Sequence, residues 1–193
     1  MRDVVVTHVR RRGSPRRSRN LEERLFVRFP ALYRRPAALV ARLSPRSRLR
    51  RTLLRREVVS GWHATSRQDF ELVVVRYADD VEIKFDAAFE AIGLAGPFRG
   101  HQGILERERT FQEEWQRWEA VPMTVLDLGE RLVVLGEVRL AGKASGLELE
   151  REVAQLMTSR DGLVVRDEIV MGWDKGLRAA GLDPEALDRG RRG

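Results

Sequence analysis

Residues 121–171 read VPMTVLDLGERLVVLGEVRLAGKASGLELEREVAQLMTSRDGLVVRDEIVM. Four runs rich in Val, Leu, Ile and Met are divided by three turn signals: Gly129-Glu130, a Gly142–Gly146 loop, and Arg160-Asp161-Gly162. Apolar and polar residues alternate within the runs, the period of a half-buried strand. Asp-Gly between two such runs is a hairpin signal, because glycine accepts the positive φ of a tight turn. The stretch therefore predicts a four-strand antiparallel meander: Val121–Leu128, Arg131–Leu140, Leu147–Thr158 and Leu163–Met171.

Upstream, the apolar period changes from 2 to about 3.6. Asn20 offers an N-cap, with Glu23 at the capping-box position. Leu21, Leu25 and Phe29 follow at helical spacing, and Pro30 and Pro36 interrupt any longer helix. Leu39, Val40 and Leu43 mark a second short piece. Ser44-Pro45 reads as N-cap plus first-turn proline, opening a helix to about Ala64 with Leu54, Val58 and Trp62 on one face. A further helix is expected from Ser66, with Phe70, Val73, Val74 and Tyr77 as its stripe, and Val81–Phe85 as a strand. Residues 87–100 read as an irregular excursion. A long helix is expected from Gly100-His101 to Trp118, with Ile104, Glu108, Phe111, Trp115 and Trp118 on one side. Asp174–Ala180 is a last short helix ended by Gly181. Helices must cover one face of such a sheet, and a curved sheet wrapped on helices makes a cone with an open end.

The chain has 193 residues, no cysteine and a net charge of +7. Disulfides, thiolate metal sites and cysteine nucleophiles are excluded. No apolar run approaches the ~20 residues of a membrane span, and the N-terminus lacks the apolar stretch of a secretory signal. The expected compartment is cytoplasmic. The charge is unevenly placed. Residues 1–56 hold 18 arginines against Asp3, Glu22 and Glu23, whereas residues 57–193 hold 18 basic and 26 acidic groups. The expected organisation is a basic disordered arm (1–19), an Arg-rich helical extension (20–45), one α+β domain (46–182) and a polar tail (183–193).

Several stretches in that domain resemble the SnoaL-like branch of the NTF2-like superfamily. Tyr77-Ala78-Asp79-Asp80-Val81-Glu82 looks like its helix-to-strand step. Phe98-Arg99-Gly100-His101-Gln102-Gly103-Ile104 looks like the start of its third helix. Asp127 to Leu135 and Ser159 to Arg166 resemble two of its hairpins, and Trp173 to Leu182 its ending. The ordered set spans roughly 135 residues. The resemblance implies an NTF2-like cone: a curved antiparallel sheet wrapped on three helices, here preceded by the helical extension. It does not choose among the cyclases, isomerases, hydratases and non-catalytic binding modules that share the fold.

The enzymes of this superfamily place an acid or base inside the cone, where an apolar wall raises a carboxyl pKa. Aligning the Asp161-Gly162 turn with the isomerases puts Glu148, Glu150, Glu152, Ala154 and Leu156 inward on the third meander strand. It puts Asp167, Ile169 and Met171 inward on the fourth. Ala154 then stands where the isomerases have an oxyanion-hole aspartate, which argues against their mechanism. Glu152 and Asp167 become the candidate acid/base residues, with Asp86, just after the first strand, as a third. The glutamate row reads alternatively as a solvated face paired with Arg139 and Arg166, and Asp86 as a loop residue. Trp62, Tyr77, Glu108, Phe111, Trp115, Trp118, Ile169 and Met171 are the candidate ligand-binding residues; at helical spacing such aromatics also read as plain core. Three scattered histidines give no metal-ligand spacing, and no phosphate- or dinucleotide-binding motif is present. Neither metal nor cofactor is expected.

The expected function is binding of a small apolar or aromatic metabolite, with cofactor-free acid/base catalysis of isomerase, cyclase or hydratase type. The alternative is a non-catalytic dimerising or binding module. Leu147, Leu149 and Val153 read as an apolar outer sheet face, hence a homodimer. Residues 10–56 can bind nucleic acid through arginine–phosphate contacts, rest on an anionic membrane surface, or simply pack on the acidic domain.

Overall fold

A computed structural model describes residues 4–9, 18–94, 96–143, 146 and 148–185. Its elements in chain order are β1 (Val5–His8), α1 (Leu21–Arg28), α2 (Ala31–Ala41), α3 (Arg48–Ser66), α4 (Phe70–Val74), β2 (Tyr77–Phe85) and α5 (Ala87–Glu90). There follow β3 (Phe98–Arg99), α6 (Gly100–Glu114), β4 (Trp115–Asp127), β5 (Arg131–Gly142), β6 (Glu148–Arg160), β7 (Leu163–Met171) and α7 (Trp173–Ala179). The strands form one curved sheet in the order β1-β4-β5-β6-β7-β2-β3. All neighbours are antiparallel except β2 and β7, which run parallel. The architecture is the α+β cone, with a mixed rather than wholly antiparallel sheet.

Helices α3 and α6 fill the concave side. Val58, Trp62, Phe89 and Phe111 pack there against Val134, Val138 and Val153. Burying a side chain such as Val58 or Phe89 contributes roughly 1.5–3 kcal/mol. On the convex side α7 lays Leu177 and Ala180 on Val133, Leu135, Ala154 and Leu156. Gly136 of β5 has a specific purpose. A Cβ there would come within 2.3 Å of the Trp62 ring, so only glycine lets the indole lie against the sheet.

Local signals and structure part company in several places. The capping box at Asn20 and Glu23 forms as expected. Pro36, expected to break the helix, sits inside α2; the lost hydrogen bond is offset by the packing of buried Tyr33. Helix α3 is capped by Ser47 rather than Ser44, and Asp69, not Ser66, caps α4. Helix α6 stops at Glu114, so Trp115 and Trp118 belong to β4, where they pair with Gly142 and Leu140. Ladder hydrogen bonds there outweigh a continued helical period. Pro122 is tolerated within β4 because the ladder shifts register beside it. Val5–His8, expected in a disordered arm, forms an edge strand on Thr124–Asp127; the β-branched run Val4 to Thr7 was its legible signal. Residues 1–3, 10–17 and 186–193, most of the expected arm and tail, lie outside the described residues.

The extension packs on the domain through a buried polar network. Tyr33 Oη donates to Glu57 Oε1 at 3.0 Å, and Arg76 Nε lies 2.6 Å from the same oxygen. Arg76 also donates to Ser60, which donates to Glu23 on α1. Arg67 closes the network, 3.0 Å from Glu23 and 3.2 Å from Asp69. Burial pushes the Glu23 carboxyl up, but the Asn20 backbone N–H and Arg67 outweigh it and hold it below the usual carboxylate range.

Candidate functional site

The concave side of the sheet borders a half-open cavity of about 750 Å³, within the size range of small-molecule sites. Its wall is largely apolar: Val58, Phe85, Phe111, Trp118, Val138 and Ile169. Tyr33, Ala37, Val40 and Ala41 of α2 close one side. The helical extension therefore forms part of the cavity wall.

One hydrogen-bonded chain crosses that wall. Tyr77 Oη donates to Asp167 Oδ2 at 2.7 Å. Gln155 Nε2 donates to the same oxygen at 2.9 Å, and its Oε1 accepts from Trp62 Nε1 at 2.8 Å. Asp167 is fully buried, and its Oδ1 has no hydrogen-bond partner among the described residues. Burial pushes the Asp167 carboxyl above its ordinary range, against the opposing pull of Tyr77, Gln155 and Arg107. Burial also drives the Tyr77 hydroxyl well above its ordinary value, reinforced by the neighbouring Asp167 charge. Both shifts disfavour the charged form of each group in this buried pair. Arg107 and Glu108 of α6 are both buried, form an ion pair and line the cavity.

Tyr77 and Gln155 line the cavity, whereas Asp167 lies just behind them. Trp62, Glu108, Phe111, Trp118 and Ile169 also line it. Trp115 and Met171 pack into the adjoining core instead.

Glu152 requires a correction. It is exposed, as are Glu148 and Glu150, and Glu150 pairs with Arg139 at 2.9 Å. The inward residues of β6 are Leu149, Val153, Gln155 and Met157. The cause is a one-residue bulge in β7. Arg160 pairs with Leu163 and Ser159 with Val164, but Thr158 pairs with Arg166, leaving Val165 extra. An unbulged hairpin would set Leu156 opposite Asp167; the observed partner is Met157. A one-residue slip moves a strand's whole set to the other face. The comparison of Ala154 with an isomerase oxyanion hole fails for the same reason, since Ala154 faces α7.

Asp86 is a structural cap. It accepts from the Phe89 and Met171 amides and from Lys175 Nζ at 2.7 Å. The apolar outer face expected for a homodimer is not formed by Leu149 and Val153, which turn inward; Leu147 lies outside the described residues. Neither residue offers an apolar outer face for a second copy. Gln155 and Arg107 were missed. Their signals were a lone amide between Val153 and Met157, and a second charge beside Glu108. Among the described residues no group of acidic, histidine or cysteine side chains has metal-site geometry, and no helix is long and apolar enough to cross a membrane.

No protein-family model matches the chain, and no curated protein sequence matches it. Solved structures do. An NTF2-like protein of unknown function from Burkholderia pseudomallei is 23% identical, with 64% of this chain and 93% of that chain covered at a TM-score of 0.56. A protein described as a SnoaL-like polyketide cyclase from Jannaschia is 18% identical, with 72% and 92% covered at 0.52. A protein of ketosteroid isomerase-like fold from Catenulispora acidiphila, in complex with trimethylamine, is 13% identical, with 65% and 93% covered at 0.53. At these identities the likeness concerns the fold, and the chain has the NTF2-like fold.

Proposed function

We propose that this NTF2-like chain binds a small apolar or aromatic molecule in its cone and acts on a carbonyl oxygen of it as a cofactor-free acid. The observation that carries the reading is the buried Tyr77–Asp167 pair at the wall of an apolar cavity. With Asp167 protonated, its O–H donates a hydrogen bond to Tyr77 Oη, which frees the tyrosine O–H to donate to the ligand. A carbonyl or enolate oxygen beside Tyr77 is then polarised by a donor backed by a second acid. Gln155 and Trp62 hold the carboxyl in place. Arg107, itself paired with Glu108, acts electrostatically on both Tyr77 and Asp167. Isomerisation, cyclisation and hydration all use such a step. The trimethylamine complex of the Catenulispora acidiphila protein supports small-molecule binding on this fold.

The second reading is a binding module without turnover. It is favoured by one feature: Asp167 reaches the cavity only through Tyr77 and Gln155. A panel of aromatic and polyketide-like carbonyl compounds, screened by thermal shift and followed for solvent-deuterium incorporation, separates the two. Binding with deuterium exchange that Tyr77→Phe abolishes supports catalysis. Binding without exchange supports the module, and no binding by any compound removes both.

A further inference from the structure

The outer face of the helical extension is unaccounted for by the cavity. Eight large apolar side chains are exposed among the described residues, and six of them lie between residues 21 and 49. Leu21, Leu25 and Phe29 follow one another at four-residue intervals along α1, and Arg24 and Arg28 share that exposed face. On α2 the exposed face carries Leu32, Arg35 and Leu39, with Arg42, which also borders the cavity, just beyond its end. The opposite faces are the ones that dock: Glu23, Phe26 and Tyr33 hold the domain. Each helix is thus two-sided, and its outer side leaves large apolar side chains open to solvent.

The charges on that outer side are all of one sign. Arg24, Arg28, Arg35 and Arg42 have no ion-pair partner among the described residues, and Arg28 lies over the Phe29 ring at 5.6 Å. The two acids of these helices are engaged elsewhere, Glu22 with Arg56 and Glu23 with Ser60 and Arg67. An outward surface that combines exposed leucine and phenylalanine with unpaired arginine offers both terms of interfacial membrane binding, apolar burial and attraction to anionic lipid.

We infer that the outer face of α1 and α2 docks on an anionic lipid surface, with Leu25, Phe29, Leu32 and Leu39 entering the acyl boundary and the four arginines contacting phosphates. Other partners fit less well. Nucleic acid is held through phosphate by arginine and leaves the leucines unexplained. A second copy, joined across a two-fold axis, would bring the same arginines face to face. A bilayer with anionic headgroups satisfies both residue types. The inner side of α2 lines the cavity, so docking holds the cavity about one helix diameter, ~10 Å, from the lipid. This inference does not depend on catalysis in the cone.

The test is flotation of the full chain with vesicles of phosphatidylcholine alone, or with about one third phosphatidylglycerol, a composition chosen for its negative surface potential. Binding is expected to the anionic vesicles, to weaken with salt, and to be feeble on phosphatidylcholine. Leu25→Ser/Leu32→Ser/Leu39→Ser should lower affinity at least about tenfold through lost apolar burial. Neutralising Arg24, Arg28, Arg35 and Arg42 to glutamine should cost roughly fivefold each at low salt. Unchanged melting curves would show that each variant is folded. Four outcomes overturn the proposal: equal binding to both vesicles; full binding by the serine variant; a dimer in solution that the serine variant abolishes; or duplex binding with no vesicle binding.

Discussion

Arg50 and Asp127, 77 positions apart, meet as a buried two-pronged ion pair, with Nε to Oδ2 at 2.7 Å and Nη2 to Oδ1 at 3.0 Å. The same guanidinium donates to the carbonyls of Ala41 and Leu43 at 2.7 and 2.9 Å, and to Gly129 at 2.5 Å. One side chain therefore ties the C-terminal end of α2 to the β4–β5 turn. Both partners are almost wholly buried, so the pair works by satisfying groups that would otherwise be stranded.

Removing one partner should accordingly be severe. Arg50→Ala leaves the buried Asp127 with only the Gly129 amide as donor and strips the guanidinium from three carbonyls, and a loss of about 3–5 kcal/mol is expected. Asp127→Leu with Arg50→Met should cost less than the sum of the single losses, because no buried charge remains. Denaturant melts of the native chain, Arg50→Ala, the two single variants of that pair and the double variant measure this. A single-variant loss below about 1 kcal/mol, the scale of a surface pair, contradicts the assignment.

Asp167 ties stability to pH with a definite sign. Its folded carboxyl titrates above its ordinary range through burial. The native state therefore binds the proton more tightly than the unfolded chain. Stability from this group is present below the unfolded value, near ~4, and declines as pH rises toward the folded value. Asp167→Asn removes that decline. The difference in melting temperature, variant minus native, should grow from acid to neutral pH. Parallel melting curves across the range would disprove it.

Gly162 is where the β6–β7 turn touches the extension. Its φ is +78°, and an added Cβ would lie 2.4 Å from the Ala37 carbonyl carbon. Gly162→Ala should cost about 1–3 kcal/mol in backbone strain and push α2 off the turn. Hydrogen exchange should quicken in α2 and change little in β5. Gly129→Ala is the control. Its φ is +93°, but no atom lies within 4 Å of an added Cβ, so strain without displacement is expected.

The strands and the concave helices were largely legible, since each depends on a period carried by neighbouring residues. Boundaries moved where a tertiary contact competed with a local one. Trp115 continues the helical period of α6, yet extends because Gly142 is there to pair with it. Asp69 takes over as cap from Ser66, whose hydroxyl is already engaged by the Trp62 and Ala120 carbonyls. The Arg-rich extension was legible as helix but not as a wall of the cavity, because Tyr33 meets Glu57 and Arg76 only once α2 folds back.

Alternation along residues 121–171 was enough to determine a meander, and the helices before it were enough to make that meander one side of a cone. Alternation also divided β6 into two sets, Glu148-Glu150-Glu152 and Leu149-Val153-Gln155. It had no means of saying which set faced inward. That choice was made by the extra residue Val165, which shifts the pairing from Leu156 to Met157 opposite Asp167. A bulge belongs to the ladder between two strands rather than to either strand alone. Its consequence is to place Gln155, and not Glu152, beside Asp167 and Tyr77.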